Sequence, residues 1–362
     1  GVTRKIKGRF RQEGCVYTMD GEERPIAYEP TVATDICGLH RGPNGDIYGA
    51  TIISMHIFRY DPAERYLQDL GKVGWGGGEI YDVIACGEKV YMGSYGGGIF
   101  AAYDPTKSWN PMPEHEGRHA DANPISFGPL GDTMNRPFEY TVGPDMRIYI
   151  GCRANYHVSG GGLAVFDPET EESVVHRDVD QSVQSVASDD NWVYGGTSIR
   201  GGRGCIETTT EAKLFVFSPS ENRRVFECIP HWGAITIGNL ACSPVTGYVY
   251  GSTDNGIVFA FCPKRRRVVW RWEMNDSGTP LMGIPEAHGI IHLTCGRDGD
   301  IYGTTRQQVF KIDVTTDTVV YLDKAPIPDL YQIIEGPEDG VFYLGARGHL
   351  LEYHVRETPH FR

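Results

Sequence analysis

The chain has 362 residues, with 46 Gly, 22 Pro and 20 Tyr and a formal charge of −13, a turn-rich and aromatic composition that belongs to many short strands and excludes a disordered chain. The acidic balance argues against nucleic acid as a partner, because a phosphate backbone is held by Lys and Arg. No run of about 18 apolar residues occurs, so neither a transmembrane helix nor a membrane partner is expected.

The first segment, 1–30, fits no repeat; it holds an alternating stretch from Cys15 to Met19 and an Asp20-Gly21 turn signal, the pattern of a strand and hairpin. After it one phrase recurs: a turn, then an apolar residue, an aromatic and a glycine. It reads GPNGDIYG at 42–49, GEKVYMG at 87–93, GPDMRIYIG at 143–151, DDNWVYGG at 189–196, SPVTGYVYG at 243–251, GRDGDIYG at 296–303 and GPEDGVFYLG at 336–345. The marker aromatics Tyr48, Tyr91, Tyr149, Tyr194, Tyr250, Tyr302 and Phe342 are 40 to 58 residues apart, the size of a four-stranded propeller blade.

A second alternating phrase follows each marker, as in HIFRYDP at 56–62 and LAVFDPET at 163–170. Most copies stop at Asp-Pro or Ser-Pro, where proline cannot donate to a ladder and sets up a turn. Each unit thus reads as an inner strand A before the turn, B at the marker, C at the second phrase and a more polar outer strand D. The prediction is an all-β fold, a seven-bladed β-propeller of four-stranded antiparallel blades, with 1–362 as a single domain. The last unit has only A, B and C before Arg362, so 1–30 is expected to act as the closing segment and supply the missing strand.

Between the second and third units, 106–136 is too long for a blade turn and reads as an inserted loop. Its His115, His119 and Asp121 have a spacing that suits a metal, although Glu114 and Glu116 favour a plain acidic loop. The basic run KRRR at 264–267 follows a C strand and reads as a solvated outer corner. Cys37, Cys242 and Cys295 fall on predicted A strands; without CxxC spacing, the nine cysteines read as small buried apolar residues, which favours a cytoplasmic compartment. Because the first residue is Gly1 rather than Met, export after removal of a leader is the alternative.

This repeat resembles that of the seven-bladed NHL, gluconolactonase and streptogramin-lyase group, and it lacks the Trp-Asp dipeptides of WD repeats and the double glycines of kelch repeats. The run GGGLAVFDPET at 160–170, with DQSVQSVA at 180–187 and YGGTSIRGG at 194–202, is also similar to propeller modules of bacterial carbohydrate-degrading proteins. The resemblance implies a fold. A lactonase or hydrolase of the gluconolactonase type would add a metal held by channel carboxylates.

In a propeller the A strands line the channel, and the D-to-A and B-to-C connections meet at one end of it, where ligands are placed. Arg136, Arg153, Arg200, Arg306 and Arg347 recur at that predicted face of an acidic chain. Guanidinium forks suit carboxylates, while Tyr81, Tyr95, Tyr156 and Trp232 offer faces for sugar rings. Alternatively the arginines pair with Asp35, Glu79, Asp180 and Asp254 and only brace the blades.

The loop RANYHVSGGG at 153–162 places Arg, Tyr and His together and reads as ending in a flexible glycine run; SIRGGRGCIETTTE at 198–211 reads as a lid or a solvated excursion. Elimination on an acidic sugar requires a cation on the uronate carboxylate, a base for the neighbouring proton and an acid for the departing oxygen. Propeller polysaccharide lyases use His, Tyr and Arg for this, and the residue types here are similar: Tyr156, His157 and His231 for proton transfer, Arg136 or Arg153 for the carboxylate. The expectation is therefore a lyase acting by β-elimination on a uronate-containing saccharide, with an acidic saccharide as partner and a monomeric state. The alternatives are a non-catalytic glycan-binding propeller and a metal-dependent lactonase or hydrolase. No phosphate loop, HExxH or GxSxG motif is present, so no cofactor is expected beyond a structural calcium or other divalent ion, for which Asp35, Asp180 and Asp329 are candidates to ring the channel.

Overall fold

The computed structural model describes 35–53, 55–73, 78–111, 121–275 and 291–355, together with the backbone of three N-terminal strands, Thr3–Gly8, Gly14–Tyr17 and Glu23–Pro25. Its strands form seven antiparallel sheets in sequence order, the blades of a β-propeller. Blades one to six run over 36–72, 80–129, 134–178, 182–228, 237–273 and 292–324, and blade seven over 330–354.

The ring closes as expected, through a different part of the N-terminal segment. Thr3–Gly8 pairs antiparallel with the C strand His349–His354, with Thr3 opposite Tyr353 and Ile6 opposite Leu350. The stretch around Cys15 lies one strand further out, so the last sheet has six strands. Both ends of the chain thus share one blade, and no unpaired edge remains on the C strand. The 106–136 stretch is not wholly an insertion: Ile125–Pro129 is the D strand of blade two.

Inner strands are covered on both sides by neighbouring blades, so they read as continuous apolar runs; the C strand Gly161–Asp167 is buried up to its last residue. The outermost strand meets water on one face. Glu172–Asp178 accordingly alternates between more and less exposed positions.

The repeated phrase is one packing unit. In blades one to six the marker ring points into the core shared with the following blade, and a Cβ at the first glycine of the phrase would sit 2.3 Å from the Tyr48 ring at Gly42 and 2.4 Å from the Tyr149 ring at Gly143. The turn aspartate accepts the marker hydroxyl, at 2.9 Å from Tyr149 to Asp145, 2.6 Å from Tyr194 to Asp189 and 2.8 Å from Tyr302 to Asp298. In blade seven the residue in this role is Tyr343, not Phe342. The turn there carries an extra residue, so Tyr343 packs over Gly336 and against Tyr60 of blade one, while Phe342 faces Tyr302 of blade six.

Around the axis, the A–B register slips in six blades. Such bulges re-aim side chains, and here polar side chains of one A strand accept backbone N–H groups of the next: Asp82 from Tyr140 (3.2 Å), Glu139 from Val186 (3.1 Å), Asn239 from Leu293 (2.7 Å) and Gln332 from Leu39 (2.6 Å). At these four positions blade is stitched to blade by neutral and acidic side chains on backbone N–H groups. Burial accordingly pushes the Asp82 carboxyl up to about 7, although Gln332, Val83 and Tyr140 all donate to it.

A carboxyl whose folded pKa lies above its unfolded value leaves stability intact below the unfolded value and removes it as pH rises toward the folded one. Urea unfolding should therefore show a loss of up to roughly 4 kcal/mol between about pH 4 and pH 7. Asp82→Asn should flatten much of that slope. A wild-type curve that is level over this interval would mean the carboxyl is ionised throughout.

Candidate functional site

The D-to-A and B-to-C connections do meet at one end, joined by backbone hydrogen bonds: Tyr95 N to Glu79 O (2.8 Å), Asn155 N to Thr133 O (2.8 Å), Ile199 N to Ile235 O (3.0 Å) and Ile36 N to Arg347 O (2.8 Å). At this face two neighbouring blades build one polar group. Blade two contributes Tyr81 from its A strand Ile80–Cys86 and Tyr95 just beyond its B strand Lys89–Ser94. Blade three contributes Arg136 from Met134–Val142 and Tyr156 from the loop after Ile148–Ala154.

Three tyrosines surround one guanidinium. Arg136 Nε donates to the Tyr81 hydroxyl (3.1 Å), its Nη2 donates to the Tyr156 hydroxyl (3.4 Å), and its Cζ lies 4.2 Å from the centre of the Tyr95 ring. The Tyr95 and Tyr156 hydroxyls share a hydrogen bond of 2.5 Å, and Tyr81 donates to Glu79 at 3.3 Å. Tyr156 is 42% exposed and open to a ligand. Hydrogen bonds from Tyr95 and then Arg136 pull its hydroxyl below the ordinary phenol value. Burial and the same shared bond push Tyr95 the other way, and burial raises Tyr81. Adjacent groups whose surroundings push their pKa values apart are the pattern in which an acid and a base are sought.

The remaining expected residues are placed elsewhere. Arg153, expected to hold a carboxylate, is 1% exposed, with its Cζ 5.1 Å from the Phe138 ring; it belongs to the wall behind the site. Arg306 and Arg347 reach the same face across the ring, and both bind Asp329, at 3.3 Å and 2.7 Å. They brace blades six and seven, through an acid other than those expected. Arg200 is 3.9 Å from Glu207, with both side chains well exposed, a pair of small energetic weight. His231 and Trp232 lie on the approach to blade five, Trp232 being 71% exposed, and no described hydrogen bond or ring contact joins them to the tyrosine group.

His157 packs away from that group. A Cβ on Gly204 would meet its ring at 2.6 Å, and its backbone N–H donates to Arg203 O at 3.0 Å. The two long B-to-C loops are thus one layer, tied again by Gly202 N to Val158 O (2.9 Å). A Cβ at Gly202 would lie 1.7 Å from Asn155 O. Gly202→Ala should separate the loops and raise the rate of tryptic cleavage after Arg200 or Arg203 about tenfold; an unchanged rate would show that the loops are not held together there.

The glycine run at the end of 153–162 enters a strand rather than a free loop. Gly161 and Gly162 are buried in the C strand of blade three. His115 and His119 lie outside the described residues. Among the described residues no three His, Cys, Asp or Glu side chains converge on a metal position; Asp329 is taken by two arginines and Asp180 accepts from Thr208 at 3.1 Å. The eight described cysteines are all free thiols.

Neither a family model nor a curated protein matches the sequence. Among solved structures, the chain is similar to virginiamycin B lyase from Staphylococcus aureus, determined as a catalytically inactive variant with quinupristin, with a TM-score of 0.64 over 89% of this chain and 96% of that one. The shared feature is the seven-bladed ring. At 10% identity the likeness is one of fold, and it agrees with the resemblance to the streptogramin-lyase group read from the repeat.

Proposed function

We propose that this propeller is a lyase that cleaves a uronate-containing saccharide by β-elimination at the channel mouth. The observation that carries the reading is the Tyr95–Tyr156–Arg136 group, in which one exposed phenol with a depressed pKa is bonded to a second phenol and to a guanidinium. In this scheme the sugar carboxylate approaches the guanidinium of Arg136 from the side of the exposed Tyr156, since the guanidinium's own Nη1 is buried, without a hydrogen-bond partner among the described residues. Charge on that carboxylate is neutralised, which acidifies the neighbouring C–H.

Tyr156 as phenolate removes the proton; the C–H electron pair becomes a C=C bond as the C–O bond to the leaving sugar breaks. The departing oxygen takes a proton from Tyr95 or from the newly protonated Tyr156. Tyr95 thus fills the place expected for His157 or His231. Tyr81, braced by Glu79, fixes the guanidinium plane, and a seven-bladed lyase among its fold relatives makes the scaffold suited to such chemistry.

The test is the absorbance of the new C=C bond on a panel of acidic glycans. Product from a uronate polymer and none from its neutral counterpart supports the reading. Binding that survives Tyr156→Phe, with no product from any glycan, would instead favour a non-catalytic glycan-binding propeller; neither binding nor product would reject both.

A further inference from the structure

A second site lies on the axis, beneath the tyrosine group. There the A strands enclose a cavity of about 30 Å³ whose polar lining includes Asp82, Glu139, Gln184 and His292. That is room for one or two water-sized species. Every one of these four groups presents an acceptor. Asp82 and Glu139 are carboxyls with no ion pair among the described residues, and the charge closest in effect to Glu139 is Asp82 itself. Among the described residues, Gln184 Oε1 and His292 Nε2 have no hydrogen-bond partner, on side chains of residues only 5% and 6% exposed. The imidazole is neutral, because burial lowers its pKa to about 3.

The same lining holds donors, Asn239 whose Nδ2 donates to Glu139 and Gln332 whose Nε2 donates to Asp82, but no cationic side chain, and it leaves two acceptors unfilled. Buried polar groups of this kind are satisfied in native proteins. Three metal-binding side chains do not converge on one point here, so the tight shell demanded by a divalent ion is not formed. Cations with the size of a water molecule and loose demands on geometry, potassium and ammonium, match the space. We propose that the axial cavity is a monovalent-cation site that neutralises the Asp82–Glu139 network and locks the A strands together around the axis.

The experiment uses the whole chain, dialysed into choline chloride and then melted in potassium, ammonium, sodium, calcium or magnesium chloride at equal ionic strength, in mildly alkaline buffer, above the Asp82 value of about 7. Potassium or ammonium should raise the Tm saturably by a few degrees over choline, and the two arms identify which ion is the better occupant. Glu139→Gln keeps an oxygen for the Val186 N–H and should fold, with the increment lost; circular dichroism in choline checks its fold. Rubidium, as a potassium substitute, should be retained on gel filtration by the wild type and not by Glu139→Gln. Equal Tm values in choline and potassium overturn the proposal, as does an effect confined to calcium or magnesium or an increment that persists in Glu139→Gln. The pH slope expected for Asp82 refers to the cation-free protein.

Discussion

In a Tyr156→Phe protein, kcat toward an acidic glycan is expected to fall by about two to four orders of magnitude, the usual worth of a positioned acid or base, while KM changes little. The ring remains and Tyr95 still packs over Arg136, so the ligand surface is preserved. The pH profile carries a sharper test. A base acts when deprotonated, so kcat/KM should rise with pH through the lowered value of Tyr156. The hydrogen bond from Tyr95 is the largest cause of that lowering, so Tyr95→Phe should move the limb to higher pH. A limb unmoved by that change would remove Tyr156 from the role of base, and an unchanged kcat in Tyr156→Phe would do the same.

Among substitutions, the largest expected effect on stability is that of Gly161→Ala. A Cβ there would lie 2.0 Å from the Cys152 carbonyl oxygen and 2.9 Å from Ser182 Cα, both of them backbone and belonging to two different blades. No side-chain rotation relieves such a contact, so blade three has to part either from its own B strand or from blade four. A cost of about 3 kcal/mol is expected, at the upper end for overpacking, measured as a drop in the urea midpoint. A loss below about 1 kcal/mol would show that these strands separate easily.

Much of the architecture was legible because the blade is a periodic unit. A turn, a buried aromatic and a glycine recur wherever a ring must pack over a backbone that has no Cβ, and Gly42 with Tyr48 shows the reason directly. The shift from Phe342 to Tyr343 was hidden by one extra turn residue, which moves the ring from one face of the strand to the other. The glycine run before Leu163 looked mobile because glycine permits both freedom and close approach. Its surroundings decide between them, and here they are crowded.

The site was legible by face but not by partner. Arg136, Tyr81, Tyr95 and Tyr156 were all expected at the channel mouth, yet Arg306 and Arg347 were expected there on the same grounds and turn out to clamp Asp329. Nor could the chain alone mark Asp82 and Glu139 as axial, since that depends on where each A strand bulges.

The sequence by itself determined the seven blades, their strand order and the closure of the ring by the N-terminal segment, because these follow from local patterns of burial and turn chemistry repeated along the chain. The tertiary structure alone decided which arginine meets tyrosines and which meets an aspartate, and which carboxyls face the axis without a counter-charge. Those outcomes depend on side chains from different blades arriving within hydrogen-bond distance, a matter of ångströms that spacing along the chain does not encode.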